Sequence, residues 1–176
     1  MNPGNPRWEV YAFNPTEHRL PGFPHDDRFF NDVTCPRFGM MGDDMFFSFR
    51  DSKAGLGNKH LYIYEARTQQ YRFVGTYLTG IQSSPSVNGI NYENDRLHIT
   101  WVYLGLMYYE GWDDPRDTKH KQQVGPNGSE NNYNICYAYS DDKGYTWQNG
   151  AGDVIAQLRL GESITNKAEG ITAFEI

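Results

Sequence analysis

Cysteine is scarce. Cys35 and Cys136 are the only two in 176 residues, too few for a disulfide framework, and no CxxC pair exists to seat zinc. Both read as buried free thiols, the commonest habit of lone cysteines. Long apolar runs are missing too. No segment suits a membrane span, and MNPGNPRWEV lacks the charged head and apolar middle of a secretory signal, so the sequence as given carries no export address and its localisation is open. Basic charge is sparse: 16 Lys and Arg stand against 22 Asp and Glu, net -6, with no basic stripe. That argues against a nucleic-acid partner. Punctuation by 18 Gly and 9 Pro leaves no long amphipathic helix with start and stop signals. DSKAGLGN, at 51–58, has two glycines but neither dinucleotide nor P-loop spacing. No cofactor and no metal is expected.

Aromatics are plentiful, at 15% with 13 Tyr and 10 Phe, and these favour the half-buried surfaces of sheets. Strand-length segments recur: DMFFSFR (44–50), KHLYIYE (59–65), QYRFVGTYL (70–78), RLHITWVYL (96–104) and NICYAYS (134–140). Between them lie the turn-rich stretches GDD, EARTQ, NYEND and SDDKG. HLYIYEARTQQYRFVG and ICYAYSDDKGYTWQNG resemble each other, setting Tyr62 and Tyr64 against Tyr137 and Tyr139, and Phe73 against Trp147. With a shorter candidate strand upstream of each (CPRFGMM, SPSVNGI), the order strand, strand, strand, turn, strand occurs twice.

Repeats of this kind predict an all-β chain, a partial β-propeller of four-stranded antiparallel blades. Residues 35–77 form one blade, and 85–149 the next with an insertion at 105–132. Residues 161–176 are expected to start a third. Two blades and a fraction cannot close a ring, so the expected partners include missing blades of a longer chain.

Within the second repeat, SDDKGYTW spaces Ser140, Asp142, Gly144, Thr146 and Trp147 as S-x-D-x-G-x-T-W. Asp142 is suited to accept backbone N–H groups across a turn, Gly144 to take positive φ, and Trp147 to plug the gap between strands. The octapeptide resembles the Asp box of BNR-repeat and sialidase-like propellers, where it is a structural outer hairpin. VTCPRF, FSFRDSKAGLGNKHLYIY, LTGIQSSPSVNGINY and LHITWVY extend the resemblance to propeller polysaccharide lyases, the ulvan lyases and fungal rhamnose-glucuronate lyases.

That resemblance implies β-elimination at a uronic acid. A base takes the C5 proton, an arginine neutralises the carboxylate, and a Tyr or His assists departure of O4. Arg50 matches the arginine and is the catalytic candidate. The family tyrosine position reads Cys35, and the DxHN-like segment bearing the family histidine is absent from this sequence. The chain alone is therefore expected to be inactive.

Asn88 and Tyr92, on the innermost strand of the second repeat, are candidate ligand contacts, as are His60 and Trp101; Asn88-Gly89 also reads as a bulge. For a strand histidine such as His60 or His98, a satisfied structural role competes with a functional one. DDPRDTKHK (113–121) fits a solvated loop better than a metal site. Tyr108, Tyr109 and Trp112 in the long insertion could stack on sugars or simply pack. The expected ligand is a polysaccharide or oligosaccharide. Three functions compete: a uronate lyase fragment, a non-catalytic glycan-binding or scaffold propeller, and a sialidase-like hydrolase. The last would need an arginine cluster and a Tyr–Glu pair.

Overall fold

The computed structural model describes residues 33–51, 57–80, 83–105 and 132–175. His18, His25, Tyr108, Tyr109, Trp112, His120 and most of the insertion lie outside these residues. Eleven strands form two sheets, and no α-helix occurs among the described residues.

The first sheet begins with β1 (Thr34–Met41), β2 (Asp44–Asp51), β3 (Asn58–Glu65) and β4 (Gln70–Thr79), each antiparallel to the next. Alternation along β2 and β3 makes the sheet two-sided. Phe46, Ser48 and Arg50 share one face with Ile63, Leu61 and Lys59, while Phe47 and Phe49 share the other with Tyr62 and His60. In β4, register shifts leave Val74 and Tyr77 as extra residues, and both are buried in the main core. Those bulges add core side chains that strict alternation would have turned outward.

The second sheet holds β5 (Ser83–Glu93), β6 (Arg96–Gly105), β7 (Asn132–Ser140), β8 (Thr146–Gln148) and β9 (Val154–Gln157). Asn94 and Asp95, both at positive φ, make the two-residue turn between β5 and β6. Leu97, Ile99, Trp101, Cys136, Ala138 and Trp147 from this sheet join Leu61, Ile63, Tyr77 and Leu78 from the first in one core. Trp147 stacks on Tyr77 at 5.5 Å, and the Ser48 and Tyr77 hydroxyls lie 2.8 Å apart beside them. Cys136 is buried as expected of a lone thiol, whereas Cys35 is exposed.

The structure corrects the expected fold. The sheets are not four-stranded antiparallel blades, no closed propeller ring forms among the described residues, and the tail starts no third unit. Instead β10 (Ile164–Thr165) extends the first sheet to five strands by pairing in parallel with β4, and β11 (Thr172–Phe174) pairs with β7 as the sixth strand of the second. The physical reason is burial together with edge pairing. Ile164 (0% exposed) and Ile171 (5%) sink into the shared core, and the backbone beside them satisfies open edges of β4 and β7.

Candidate anion-binding site

At the end of the first sheet the register sets Thr34, Arg50, Lys59 and Leu78 in one row across β1, β2, β3 and β4. Residues directly opposite in antiparallel strands project to the same side. Arg50 Nε donates to Thr34 Oγ1 at 3.0 Å, which fixes the root of the guanidinium. Lys59, its cross-strand neighbour, is only 1% exposed and has no hydrogen bond or ion pair among the described residues.

The electrostatics of this row are one-sided. Burial pushes the Lys59 ammonium down to about 8, Cys35 acts in the opposite sense, and the positive charges of Arg50 and Arg37 lower it further. A register shift between Thr34 and Arg37 breaks the β1 ladder, and Cys35 within it has φ 53. Arg37 and Cys35 are exposed, so this cationic corner abuts solvent along β1. Two guanidiniums and a buried amine thus gather at one corner of the first sheet.

Sequence reasoning singled out Arg50 and missed Lys59. The signal was present in NKHLYIYE, where Lys59 alternates in phase with Leu61 and Ile63 and must point inward with them.

The opposite face of the same strands carries a different cluster. His60 Nε2 lies 2.8 Å from Asp51 Oδ2, and its Nδ1 lies 3.0 Å from Thr76 Oγ1. The ring sits between Phe49 and Phe73, with centroids at 5.5 and 6.0 Å. Burial tends to raise the Asp51 carboxyl, but the hydrogen bond and charge of His60, with the Asn58 N–H, outweigh it and hold the group below its ordinary value. His60 is thus engaged within the sheet, on the face away from Arg50.

Of the other candidates, Tyr92 lies far from Arg50. Tyr92 donates to Asp95 at 3.4 Å near the β5–β6 turn, within electrostatic reach of Lys143, which pairs with Asp44 at the start of β2. Arg50 lies near the other end of β2, about 20 Å away at strand rise. Asn88 falls at the β5 register shift between Val87 and Gly89, and its side chain lies outside the described part of the molecule. Trp101 is wholly buried, edge-on to Tyr103, and packs in the core.

The Asp-turn residues act locally. Ser140 Oγ donates to Asp142 Oδ1 (2.8 Å) and accepts the Gly144 N–H (2.8 Å), while Asp142 Oδ1 also accepts the Thr146 N–H at 2.7 Å. Gly144 has φ +91, and a Cβ there would run into Leu61 of the other sheet. Lys143 Nζ reaches Asp44 Oδ2 at 3.1 Å and holds that carboxyl below its usual range. The turn therefore joins the sheets.

Solved structures share this fold. The polysaccharide lyase Uly1 matches with a TM-score of 0.56 at 18% identity, over 85% of this chain and 28% of that one. A PL25 ulvan lyase matches with a TM-score of 0.55 at 15% identity, over 81% of this chain and 31% of that one. The chain thus spans less than a third of the length of either lyase, and at such identities the likeness is one of fold. No curated protein matches. The sequence itself is more specific: residues 4–176 match the model of a BNR repeat-containing family member, and with the repeated strands and the Asp turn in place the chain belongs to that family.

Proposed function

We propose that this chain is a uronate-binding part of a β-eliminating polysaccharide lyase, with Arg50 holding the uronate carboxylate, and that by itself it binds without turnover. The observation that carries the reading is the Thr34–Arg50–Lys59 row, where Thr34 fixes the Arg50 guanidinium beside a buried lysine. In β-elimination, loss of the C5 proton throws negative charge onto the carboxylate. A fixed guanidinium lowers the barrier by meeting that charge where it develops. Fold likeness to two polysaccharide lyases supports the substrate class.

Arg50 would neutralise the carboxylate, and no described residue is assigned as the base. Calorimetric titration with glucuronate oligosaccharides should show binding, and Arg50→Gln should weaken it roughly 10- to 100-fold, the worth of a charge-assisted pair. The same mixtures should develop no absorbance of unsaturated uronate. Absence of binding by the unaltered chain would sink the reading, and an absorbance rise would show a complete lyase instead. A non-catalytic glycan-binding role is the second reading, favoured by His60 being engaged on the face away from Arg50. It gives the same binding, but no turnover in any longer chain containing this one.

A further inference from the structure

The geometry points to β1 as a self-association edge, where a second copy of this chain pairs antiparallel about a two-fold axis through Met40. The pairing involves the margin of the first sheet and does not depend on how Arg50 is used.

β1 ends the first sheet, and among the described residues it shares a ladder only with β2. A marginal strand offers backbone donors and acceptors to another chain. β5 of the second sheet approaches β1 without joining its ladder, and Cys35, Pro36, Arg37, Phe38 and Met40 stay exposed. Phe38 and Met40 are 59% and 64% exposed. They stand on the sheet face away from the shared core, opposite Phe47 and Met45, and Phe38 stacks on Phe47 at 4.5 Å. The edge therefore carries an apolar strip as well as a row of backbone groups.

Features at both ends of β1 set the register. Upstream, the shift between Thr34 and Arg37 and the missing N–H of Pro36 interrupt a ladder, so pairing starts at Arg37. Downstream, the turn at Gly42 and Asp43 ends it, because Met41 is already paired with Asp44. Met40 is the centre of the stretch from Arg37 to Asp43. Antiparallel pairing about that centre sets Met40 opposite its own copy, Phe38 opposite Gly42, and Arg37 opposite Asp43.

The chemistry of each opposed pair suits that register. Arg37 and Asp43 are both exposed, and neither has an ion-pair partner among the described residues. The two-fold axis supplies both with one, twice over. Open space lies where a Cβ of Gly42 would stand, which leaves room for the Phe38 ring of the second copy. A parallel arrangement would instead set Arg37 beside Arg37 and Asp43 beside Asp43. An unrelated strand would gain backbone bonds without the reciprocal ion pairs, so the strand best matched to β1 is β1 reversed.

The test is the oligomeric state of the whole chain under reducing conditions. One strand pair makes a small interface, so sedimentation equilibrium should give a monomer–dimer constant of roughly micromolar to submillimolar size. Salt should weaken it, since the ion pairs are exposed. Arg37→Asp and Asp43→Arg should each weaken dimerisation at least about tenfold by setting like charges opposite one another, and the double variant should recover to within about threefold. In a Cys35→Ser chain, Met40→Cys should give an intermolecular disulfide on treatment with oxidised glutathione, because the self-opposed position brings the two thiols within bridging distance. A chain still monomeric near about 1 mM overturns the inference. A dimer unmoved by either charge reversal uses another surface and overturns it too, as does a folded double variant that fails to recover. Movement of the Phe38 and Met40 resonances with glucuronate oligosaccharides in a monomeric chain would give the strip to a sugar and sink the pairing.

Discussion

Gly144 is held by two independent constraints. Its backbone takes a positive φ of +91, and the space where a Cβ would stand is filled by Leu61 of the other sheet. Either constraint alone disfavours a side chain. Gly144→Ala should therefore lower unfolding free energy by at least about 2 kcal/mol in urea titrations, and a loss within measurement error would show that the sheets separate easily at the turn. The sequence made this residue legible because the Asp-turn spacing carries its own chemistry. Arg50 was singled out only by the resemblance to propeller lyases, since nothing in its strand's own pattern sets it apart. The place of Lys59 was not legible, because which residue lies opposite Arg50 is decided by the hairpin register.

Among the elements, the early strands of each sheet could be read from alternation bounded by turn residues. β10 and β11 could not. They are two and three residues long, and GESITNKAEGITAFEI shows neither alternation nor an apolar run. Their pairing is decided by two isoleucines finding the shared core, a non-local event that leaves no periodic mark. The parallel pairing of β10 with β4 is equally invisible locally. Ile164 is fully buried, so Ile164→Ala should cost about 2–4 kcal/mol by denaturant unfolding. Native-state hydrogen exchange should localise part of the loss to the amides of β4. A change below about 0.5 kcal/mol would mean that the tail merely rests on the sheet.

Across the whole molecule, the buried amine leaves a signature in stability against pH. The folded-state value of Lys59, about 8, lies below the ordinary 10.5. The unfolded chain thus binds more protons between these values, and stability contributed through this group rises with pH across that window. Below about pH 8 the full cost of burying the ammonium is present. Cys136 works against this trend, since burial pushes its thiol from 9.0 to about 11 and penalises folding as the medium becomes alkaline. The clean measurement is the difference between the unaltered chain and Lys59→Met. Their gap in unfolding free energy, on the order of 2 kcal/mol near pH 7 in favour of the variant, should close between about pH 8 and pH 10.5. A gap independent of pH would show that Lys59 is solvated in the folded state.

The tail strands also bear on the order in which the molecule is made. β4 is synthesised long before Ile164, and β7 before Thr172, yet the edge of β4 at Leu78 and Thr79 and the edge of β7 at Ile135 and Cys136 are paired only by those later residues. During synthesis both sheets emerge with hydrogen-bonding edges uncovered and with core positions that only Ile164 and Ile171 can fill. Closure of such distant contacts is slow, because the intervening chain must first be gathered. Until residue 174 has left the ribosome tunnel, the nascent chain is open to pairing with strands of its neighbours, and its safety depends on how quickly a handful of late residues arrives.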